Sequence, residues 1–286
     1  MRSLVRSLRG SGEERELKDW RERNAARRFD APPLDDPKQQ RFVDELRANG
    51  IATGTWDELF GGEQQLYDEL AAAARGVYER FGGPAGIKDN GDGKDYIASM
   101  LPRTLDADDP FARVALHPKV LAVANRYLEL KSLLRSLELW LTIPTPGDAT
   151  ETQLWHRDGD DLVNVKFYVF FTDVTEEAGP FTYAERTHPY GPNRTMPERD
   201  EKGRATDEQM RAVAPETDWR YGTGPRATVM FADTSGYHKQ SKPRSQERLM
   251  MMAQYTSGTP NYPVAVELTG LDLDALSDEQ RAAITP

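Results

Sequence analysis

The chain has 286 residues with a formal net charge of −10 at pH 7, and it contains no cysteine. A chain of this length can bury a sizeable core. The excess of acidic side chains argues against a general nucleic-acid binder, because such proteins gain affinity by neutralising phosphates with lysine and arginine. The lack of cysteine excludes disulfides, iron–sulfur clusters, thiolate metal sites and cysteine nucleophiles, so a metal would be held by His, Asp or Glu.

The composition of the first twelve residues is relevant to the cellular compartment of the protein. The stretch MRSLVRSLRGSG is rich in arginine and serine and free of acid, a composition typical of transit peptides. Acidic residues follow at once, however, at Glu13, Glu14, Glu16 and Asp19. No apolar run approaches the roughly 20 residues that span a bilayer. We therefore expect a solvated helical arm, no membrane partner and a cytoplasmic protein.

The chain divides by composition into an arm and one domain. Residues 1–36 are predicted to form a charged N-terminal arm and a proline-rich linker, and residues 37–286 a single domain. The domain begins with three predicted helices, at residues 38–50, 62–83 and about 118–134. An Asp–Pro pair precedes the first helix, and glycine follows the first and second, which are common signals for helix starts and ends.

From about residue 135 the pattern changes to short strands, so the helical part is predicted to cover about residues 37–134 and the strand-rich core about residues 135–257. The run VNVKFYVFF carries apolar side chains on both of its faces, which indicates a strand buried on both sides. Helices followed by many antiparallel strands predict an α+β chain built on a β-sandwich or barrel. The predicted strands are SLELWLTIP, LVNVKFYVFFTDV, PFTYAE, ATVMFAD and RLMMMAQYTS.

Three side chains are candidates for a metal site. His156 and Asp158 lie two positions apart in ETQLWHRDGDD, and in an extended segment such residues point to the same side. His238 follows the strand ATVMFAD, at the mouth of the strand region. Two histidines and one carboxylate on one face of an octahedron leave positions open, as in non-haem Fe(II) oxygenases. The H-x-D spacing by itself is weak evidence, since such tripeptides also arise by chance.

The order of motifs strengthens that interpretation. The stretch LWHRDGDDLVNVKFYVFFTDVTEEAGPFTYAERTHPYG, followed by ATVMFADTSGYHKQS and QERLMMMAQYTSG, resembles the phytanoyl-CoA dioxygenase-like family. The similarity covers residues 135–257 and, more loosely, the helical region from residue 37. Two motifs depart from the family pattern, because the usual PGSH is ERTH at residues 185–188 and the Asn before Gly-Pro is Ala178. These positions shape the substrate side.

The resemblance implies a fold, a set of cofactors and a reaction. The fold is a double-stranded β-helix, a jelly-roll of the cupin-like kind, with N-terminal helices packed on it. The cofactors are Fe(II), 2-oxoglutarate as cosubstrate, and O2. The reaction couples decarboxylation of 2-oxoglutarate to succinate with hydroxylation of an unactivated C–H bond in a small or medium organic substrate. Asp158 stands at the ligand position where the family's halogenases carry a small residue, which favours hydroxylation, desaturation or ring chemistry.

The resemblance also implies cosubstrate-binding residues. The family's arginine matches Arg248, ten residues after His238, and a guanidinium can pair bidentately with the 5-carboxylate of 2-oxoglutarate. Arg244, in the preceding loop, is the alternative. Gln153 and Ser241 are placed to contact the cosubstrate, although both could equally be ordinary polar residues at strand edges.

Three further residues have structural as well as functional interpretations. His117 precedes a predicted helix, so we expect it to be a surface or capping residue. His188 matches a family histidine that does not bind iron, and we expect a structural or substrate-pocket role for it. Lys166 could line the pocket, but an exposed position on a strand edge is the simpler expectation.

Two other classes of function fit part of the sequence. A non-oxidative metal-dependent β-barrel enzyme, such as an epimerase or a hydrolase, could use the same three ligands with zinc, but it would give Arg248 no required role. A non-catalytic binding module on the same fold would not need the complete triad. In each enzymatic case the expected partner is a small-molecule substrate.

One long segment is a candidate lid. Residues 190–225 are polar, contain several prolines and glycines, and are too long for a simple hairpin connection. Such a segment could fold over the mouth of a barrel and exclude water, together with the polar loop at residues 88–95. The alternative is a surface excursion with a short helix at TDEQMRAVA.

Overall fold

The computed structural model describes residues 14–88, 94–193 and 195–285. Within these ranges the chain combines helices with antiparallel sheets, and most of the helices precede the long strands. None of the helices in these ranges has the length and apolar composition needed to cross a membrane. The helices are α1 (14–23), α2 (Pro37–Asn49), α3 (Trp56–Phe60), α4 (Gln64–Phe81), α5 (Pro84–Lys88), α6 (Pro110–Ala115), α7 (Pro118–Leu128), α8 (Asp207–Arg211) and α9 (Asp278–Ile284).

The strands form one large sheet and two small ones. The large sheet has six strands in the order β1-β8-β5-β10-β4-β2, and all of its neighbouring strands are antiparallel. A three-stranded sheet has the order β7-β6-β9, and β3 pairs with β11 in parallel. The strands are β1 (Ile51–Thr55), β2 (Ile97–Ser99), β3 (Thr104–Asp106), β4 (Leu133–Thr142), β5 (Val165–Phe170), β6 (Phe181–Ala184), β7 (Trp219–Gly222), β8 (Thr228–Ala232), β9 (His238–Gln240), β10 (Arg248–Thr256) and β11 (Glu267–Thr269).

The large sheet is buried on both faces. Its inner face packs against the three-stranded sheet, and the shared apolar cluster contains Tyr168 and Met250 from the large sheet and Phe181 from the small one. Its outer face packs against the helices, where Phe231 contacts Phe42 of α2 with ring centroids 5.7 Å apart. The predicted burial of β5 on both sides is therefore confirmed, since all six of its residues are buried.

The helix signals in the sequence are correct for α2 and α4. The side chain of Asp36 accepts a hydrogen bond from the backbone N–H of Lys38, and α2 ends at Gly50 with a left-handed φ of 82°. The third predicted helix was too long. It ends at Leu128, where Glu129 turns the chain with a φ of 57°, because the leucines that follow belong to β4 and pack in the sheet core.

The N-terminal arm is docked against the core. We expected it to be solvated, but Trp20 of α1 is only 1% exposed. Its indole N–H donates a hydrogen bond of 2.7 Å to Oδ1 of Asp161, a buried residue in the segment that follows the H-x-D pair. The helix itself has little apolar surface, so this one tryptophan supplies most of its burial.

The candidate lid is largely part of the fold. Residues 219–222 of that segment form β7, an edge strand of the three-stranded sheet. Met210 and Ala214 pack with Trp155 and Trp219 in a separate apolar cluster, and Ala205 pairs with Trp155 through two backbone hydrogen bonds of 2.9 Å. The polar appearance of the segment concealed these buried positions. The loop at residues 88–95 lies mostly outside the described residues.

Candidate metal centre

The structure brings three side chains of metal-ligand type together. One ligand atom each from His156, Asp158 and His238 lie within 4.8 Å of one another. Nε2 of His156 is 3.7 Å from Oδ1 of Asp158, and Nε2 of His238 is 3.7 Å from Oδ2 of the same carboxylate. Both imidazoles are buried. The carboxylate therefore lies between the two Nε2 atoms, and the three groups together could hold one metal ion.

Backbone pairing positions these ligands. His156 and His238 face each other as an antiparallel bridge, with two N–H to O distances of 2.9 Å. Residues directly opposite in such a pair project to the same side, and so does a residue two positions further along an extended strand. The backbone N–H of Asp158 donates to the carbonyl of Thr234 at 2.9 Å. The H-x-D spacing thus becomes a three-ligand cluster once β9 lies beside it.

The hydrogen bonds of the two imidazoles leave Nε2 free to bind a metal. Nδ1 of His156 is 2.8 Å from the carbonyl oxygen of Leu154, and Nδ1 of His238 is 3.0 Å from that of Gly236. A carbonyl can only accept, so each Nδ1 carries the proton. Burial, assisted by the neighbouring His238, lowers the pKa of His156 to about 3. Burial also lowers the pKa of His238. Both rings are therefore neutral near pH 7, as metal ligation requires.

Lys166 pairs with the carboxylate ligand. Its ammonium donates a hydrogen bond of 2.7 Å to Oδ2 of Asp158. Burial opposes ionisation of Asp158, but Lys166, through its charge and its hydrogen bond, acts together with His238 and His156 to hold the pKa of this carboxyl well below its usual range. The expectation of an exposed lysine was wrong, because Lys166 is only 8% exposed. It lies on the inner face of β5, in the middle of the sheet rather than at an edge.

Arg248 is a buried cation without a carboxylate partner. Its side chain is 0% exposed; it donates to the carbonyl of Gly179 and, at 3.0 Å, to Oε1 of Gln240. Its Nε has no partner, and within the described ranges no acidic oxygen lies at salt-bridge distance. Burial lowers its pKa to about 10, so it is still cationic near pH 7. A buried charge without a counter-ion is costly, which favours an anionic ligand here.

Arg244, the alternative arginine, has a different environment. Its side chain is 69% exposed and lies 3.4 Å from Oε1 of Glu177. An exposed guanidinium that already faces an acid offers little to a buried ligand. The geometry therefore distinguishes two arginines that are only four positions apart in the sequence.

The other two predicted cosubstrate residues have partial hydrogen bonding. Oε1 of Gln153 accepts from the backbone N–H of Thr150 at 3.1 Å, whereas its buried Nε2 has no partner. The hydroxyl of Ser241 is 2.7 Å from that of Thr182 on β6. Gln153 thus retains an unused donor, and Ser241 is engaged with the small sheet.

Aromatic side chains that the motif analysis missed connect these groups. Phe181 stacks on the ring of His238 with ring centroids 5.3 Å apart. The ring centroids of Tyr168 and Phe181 are 5.5 Å apart. Burial raises the pKa of Tyr168, while the charges of Lys166 and Arg248 act against that rise. The alternation in β5 could have identified Tyr168, since Lys166 lies two positions before it on the same face.

The two remaining histidines lie outside the cluster. His117 caps α7 as expected, since its Nδ1 accepts from the backbone N–H of Lys119 at 3.2 Å, and its Nε2 is 3.0 Å from Glu63. His188 is fully buried, with Nε2 at 3.1 Å from the carbonyl oxygen of Arg47 at the end of α2.

Solved structures provide the comparison at this point. No protein-family model matches the sequence, and comparison with curated proteins gives no match. Two similar structures are of enzymes described with alpha-ketoglutarate, which is another name for 2-oxoglutarate. A third protein, EctD, also has a structure with bound Fe. EctD from S. alaskensis, in its apoform, has a TM-score of 0.55 at 16% identity, covering 84% of this chain and 91% of that chain. The fold is shared with these enzymes.

Two enzymes of nogalamycin biosynthesis are also similar. The epimerase SnoN, in complex with Fe3+, alpha-ketoglutarate and nogalamycin RO, has a TM-score of 0.51 at 18% identity, with 85% of this chain and 94% of that chain covered. The alpha-ketoglutarate-dependent carbocyclase SnoK has a TM-score of 0.50 at 15% identity, with 86% and 95% covered. At these sequence identities the similarity establishes the fold only, so the reaction has to be inferred from the residues of the site.

Proposed function

We propose that this protein is a non-haem Fe(II)- and 2-oxoglutarate-dependent oxygenase that hydroxylates a small organic molecule. The single observation that carries the proposal is Arg248, which is fully buried and has no carboxylate partner among the residues that the structure describes. The triad by itself would also suit zinc and a non-oxidative reaction. The buried guanidinium of Arg248 would in addition bind an anion. A dicarboxylic cosubstrate such as 2-oxoglutarate would provide that anion.

The donor set fits iron. His156, His238 and Asp158 offer two neutral nitrogens and one ionised oxygen. This combination, with positions left open, is the arrangement used by non-haem Fe(II) oxygenases. Lys166 would keep Asp158 ionised, and the carbonyls of Leu154 and Gly236 would hold the two imidazoles in the ligating tautomer.

The same interior fits 2-oxoglutarate. Arg248 would bind the 5-carboxylate through its guanidinium, and the aromatic rings of Tyr168 and Phe181 line the interior between that cation and the histidines. The unused Nε2 donor of Gln153 is a further candidate contact. Ser241 is proposed to support the cosubstrate indirectly, through Thr182.

Bound iron, 2-oxoglutarate and O2 would together supply the oxidant, with the cosubstrate leaving as succinate and CO2 while one oxygen atom enters the substrate. The chain contributes position and exclusion of water. Tyr168 and Met250, with the partly buried Trp140, pack in the apolar cluster between the two sheets, and Trp155 and Trp219 pack with Ala184 of the small sheet in a separate cluster.

The similarity of the fold to that of iron- and 2-oxoglutarate-dependent enzymes is consistent with this proposal, although it does not indicate the reaction. We propose that the six-stranded and three-stranded sheets are the two halves of a double-stranded β-helix and that the chain is related to the phytanoyl-CoA dioxygenase-like family. The order of motifs supports the relationship. The departures at Ala178 and at ERTH mean that the substrate is not transferable from any member of that family.

A second outcome of the same chemistry is supported by SnoN, an epimerase whose structure contains alpha-ketoglutarate. Epimerisation would also depend on iron and 2-oxoglutarate, so the two outcomes differ only in the product. Mass spectrometry separates them, because a hydroxylated product gains one oxygen atom and an epimer has an unchanged mass.

The test of the proposed function is succinate formation by purified protein. We expect succinate only when Fe(II), O2 and 2-oxoglutarate are all present, and we expect Zn(II) to inhibit it. Omitting each component in turn provides the controls. Conversion of a substrate by the Zn(II) form without 2-oxoglutarate would contradict the proposal and favour a non-oxidative metal enzyme. Binding of ligands without any turnover would favour a binding module.

A further inference from the structure

A cavity of about 210 Å³ lies beside the metal centre, with Asp158 in its wall. It is smaller than the roughly 300–1,000 Å³ typical of pockets for drug-sized ligands, so it suits a small molecule. Asp158 is the member of the His156–Asp158–His238 cluster that lines the cavity, so the cavity adjoins that cluster at Asp158.

The N-terminal helix forms one wall of this cavity. Glu16 and Leu17 of α1 line it, and both lie within one helical turn of Trp20, on the same face. The bond between Trp20 and Asp161 anchors this turn to the segment that carries the metal ligands. The arm is therefore part of the site, which its sequence alone did not indicate.

Arg157 also lines the cavity, and its side chain is fixed by two contacts. Nη2 of Arg157 donates a hydrogen bond of 2.6 Å to the carbonyl of Thr187, and its guanidinium carbon lies 4.5 Å from the centroid of the Tyr237 ring. Its buried Nε has no partner. Across the described part of the chain, no acidic side chain lies at salt-bridge distance from Arg157. The guanidinium is thus fixed in orientation while part of its donor capacity is unused.

The acidic groups of the cavity are already engaged or solvated. Asp161 accepts hydrogen bonds from the Trp20 side chain and from the backbone N–H groups of Leu162 and Ser257. Asp158 is bonded to Lys166. Glu16 also lines the cavity, and its side chain is exposed to solvent. Among the described lining residues Arg157 is the one cationic side chain, and no acidic oxygen of the described residues lies at salt-bridge distance from it.

We propose that this cavity binds the substrate of the proposed reaction and that the substrate is a small carboxylic acid. Arg157 would pair with its carboxylate through a planar, charge-assisted contact, and Leu17 and Leu162 would contact its apolar part. The identification of the ligand as the substrate rests on the proposed function, whereas the carboxylate site rests on the cavity itself. Arg157 would then determine specificity, and α1 would complete the site.

The test uses the full chain loaded anaerobically with Fe(II) and saturating 2-oxoglutarate, so that Arg248 is engaged. The probe is cyclohexanecarboxylate, and its neutral counterpart is cyclohexanecarboxamide; calorimetry measures both affinities. We expect the acid to bind more tightly than the amide. Losing a charge-assisted contact costs roughly 1.5–3 kcal/mol, so Arg157→Gln should weaken binding of the acid by a factor of about ten or more. Arg157→Lys should restore part of the loss.

Two more variants make the test specific. Arg244→Gln, at an exposed arginine that does not line the cavity, should leave both affinities as they are in the wild type. Leu17→Ala should weaken the acid and the amide alike, because it removes an apolar contact that both probes share. Equal affinity of the wild type for the two probes, or an unchanged affinity of Arg157→Gln for the acid, would overturn the proposal.

The visible charge-transfer absorption of the Fe(II)–2-oxoglutarate complex is recorded in the same samples. Its absence from the wild type would overturn the proposed function, whereas the titration decides the carboxylate site by itself. A probe that abolishes the absorption by displacing 2-oxoglutarate would count against the proposed site, since the acid would then be competing at Arg248.

Discussion

Trp20 and Asp161 are 141 positions apart in the chain and share a buried hydrogen bond of 2.7 Å. The bond joins the N-terminal helix to the segment that contains His156 and Asp158. Oδ2 of the same carboxylate accepts from the backbone N–H of Ser257 at 2.8 Å, just beyond the end of β10. One carboxylate thus holds together the arm, the metal-ligand segment and the sheet.

The first prediction concerns this link. Trp20→Phe removes the indole donor, and hydrogen bonds to charged groups contribute about 1.5–3 kcal/mol. We expect the free energy of unfolding to fall by roughly that amount, measured by urea denaturation. Tyr262→Phe, at a residue that is 54% exposed, is the control and should change little. An unaltered stability in Trp20→Phe would show that the hydrogen bond between Trp20 and Asp161 contributes nothing to the stability of the fold.

The second prediction concerns iron. His238→Ala removes one nitrogen ligand, so iron content after reconstitution should fall sharply and succinate formation should be lost. His117→Ala is the matched control, because His117 caps α7 and bonds to Glu63 instead. Iron content is measured by elemental analysis. Full iron content and full turnover in His238→Ala would refute the assignment of the metal centre.

The third prediction concerns 2-oxoglutarate. Removing one member of a desolvated charge pair costs roughly 2–5 kcal/mol, so Arg248→Ala should raise the dissociation constant of 2-oxoglutarate by a factor of about ten or more. Iron binding should persist. Arg244→Ala, at the exposed arginine paired with Glu177, is the control; a larger loss of affinity in this control than in Arg248→Ala would reverse the assignment.

The fourth prediction concerns pH. Asp233 is fully buried, and it accepts from the Tyr127 hydroxyl at 2.6 Å and from the Ser235 N–H at 2.9 Å. Burial raises the pKa of this carboxyl from 3.8 to about 6. The folded state therefore binds a proton more tightly than the unfolded state, so this group stabilises the fold at low pH and loses that contribution as pH rises through about 6.

Asp233→Asn removes this titration while keeping an oxygen acceptor. Between pH 4 and 7, the unfolding free energy of wild type minus that of Asp233→Asn should decrease as pH rises, measured by urea denaturation at each pH. Asp44→Asn, at an exposed position of α2, is the control. A difference that stays constant over this range would mean that Asp233 does not change its protonation there.

The fifth prediction concerns the segment at residues 190–225. Because Ala205 pairs with Trp155 and residues 219–222 form a strand of the small sheet, their amides should be protected from hydrogen exchange even without substrate. Exchange measured by mass spectrometry on the protein without ligands tests this. Rapid exchange throughout 205–222, with protection only after substrate is added, would restore the lid hypothesis for the whole segment.

The sequence by itself determined the features that depend on local spacing. The ends of α2 and α4 follow from Asp36 and from the glycines after each helix, because caps act over three or four residues. The burial of β5 on both faces follows from the apolar side chains that it carries on each of them. The i, i+2 spacing of His156 and Asp158 places both on one side of an extended segment, whatever the rest of the chain does.

Only the tertiary structure decided which groups meet. Lys166 could be assigned to the interior only after β5 had been placed between β8 and β10, since an edge strand would expose one side. The sequence favoured Arg248 over Arg244, but only the packing shows that Arg248 is fully buried while Arg244 is exposed beside Glu177. Trp20 shows the same limit: its partner is distant in sequence, so local periodicity carries no information about a contact made by long-range packing.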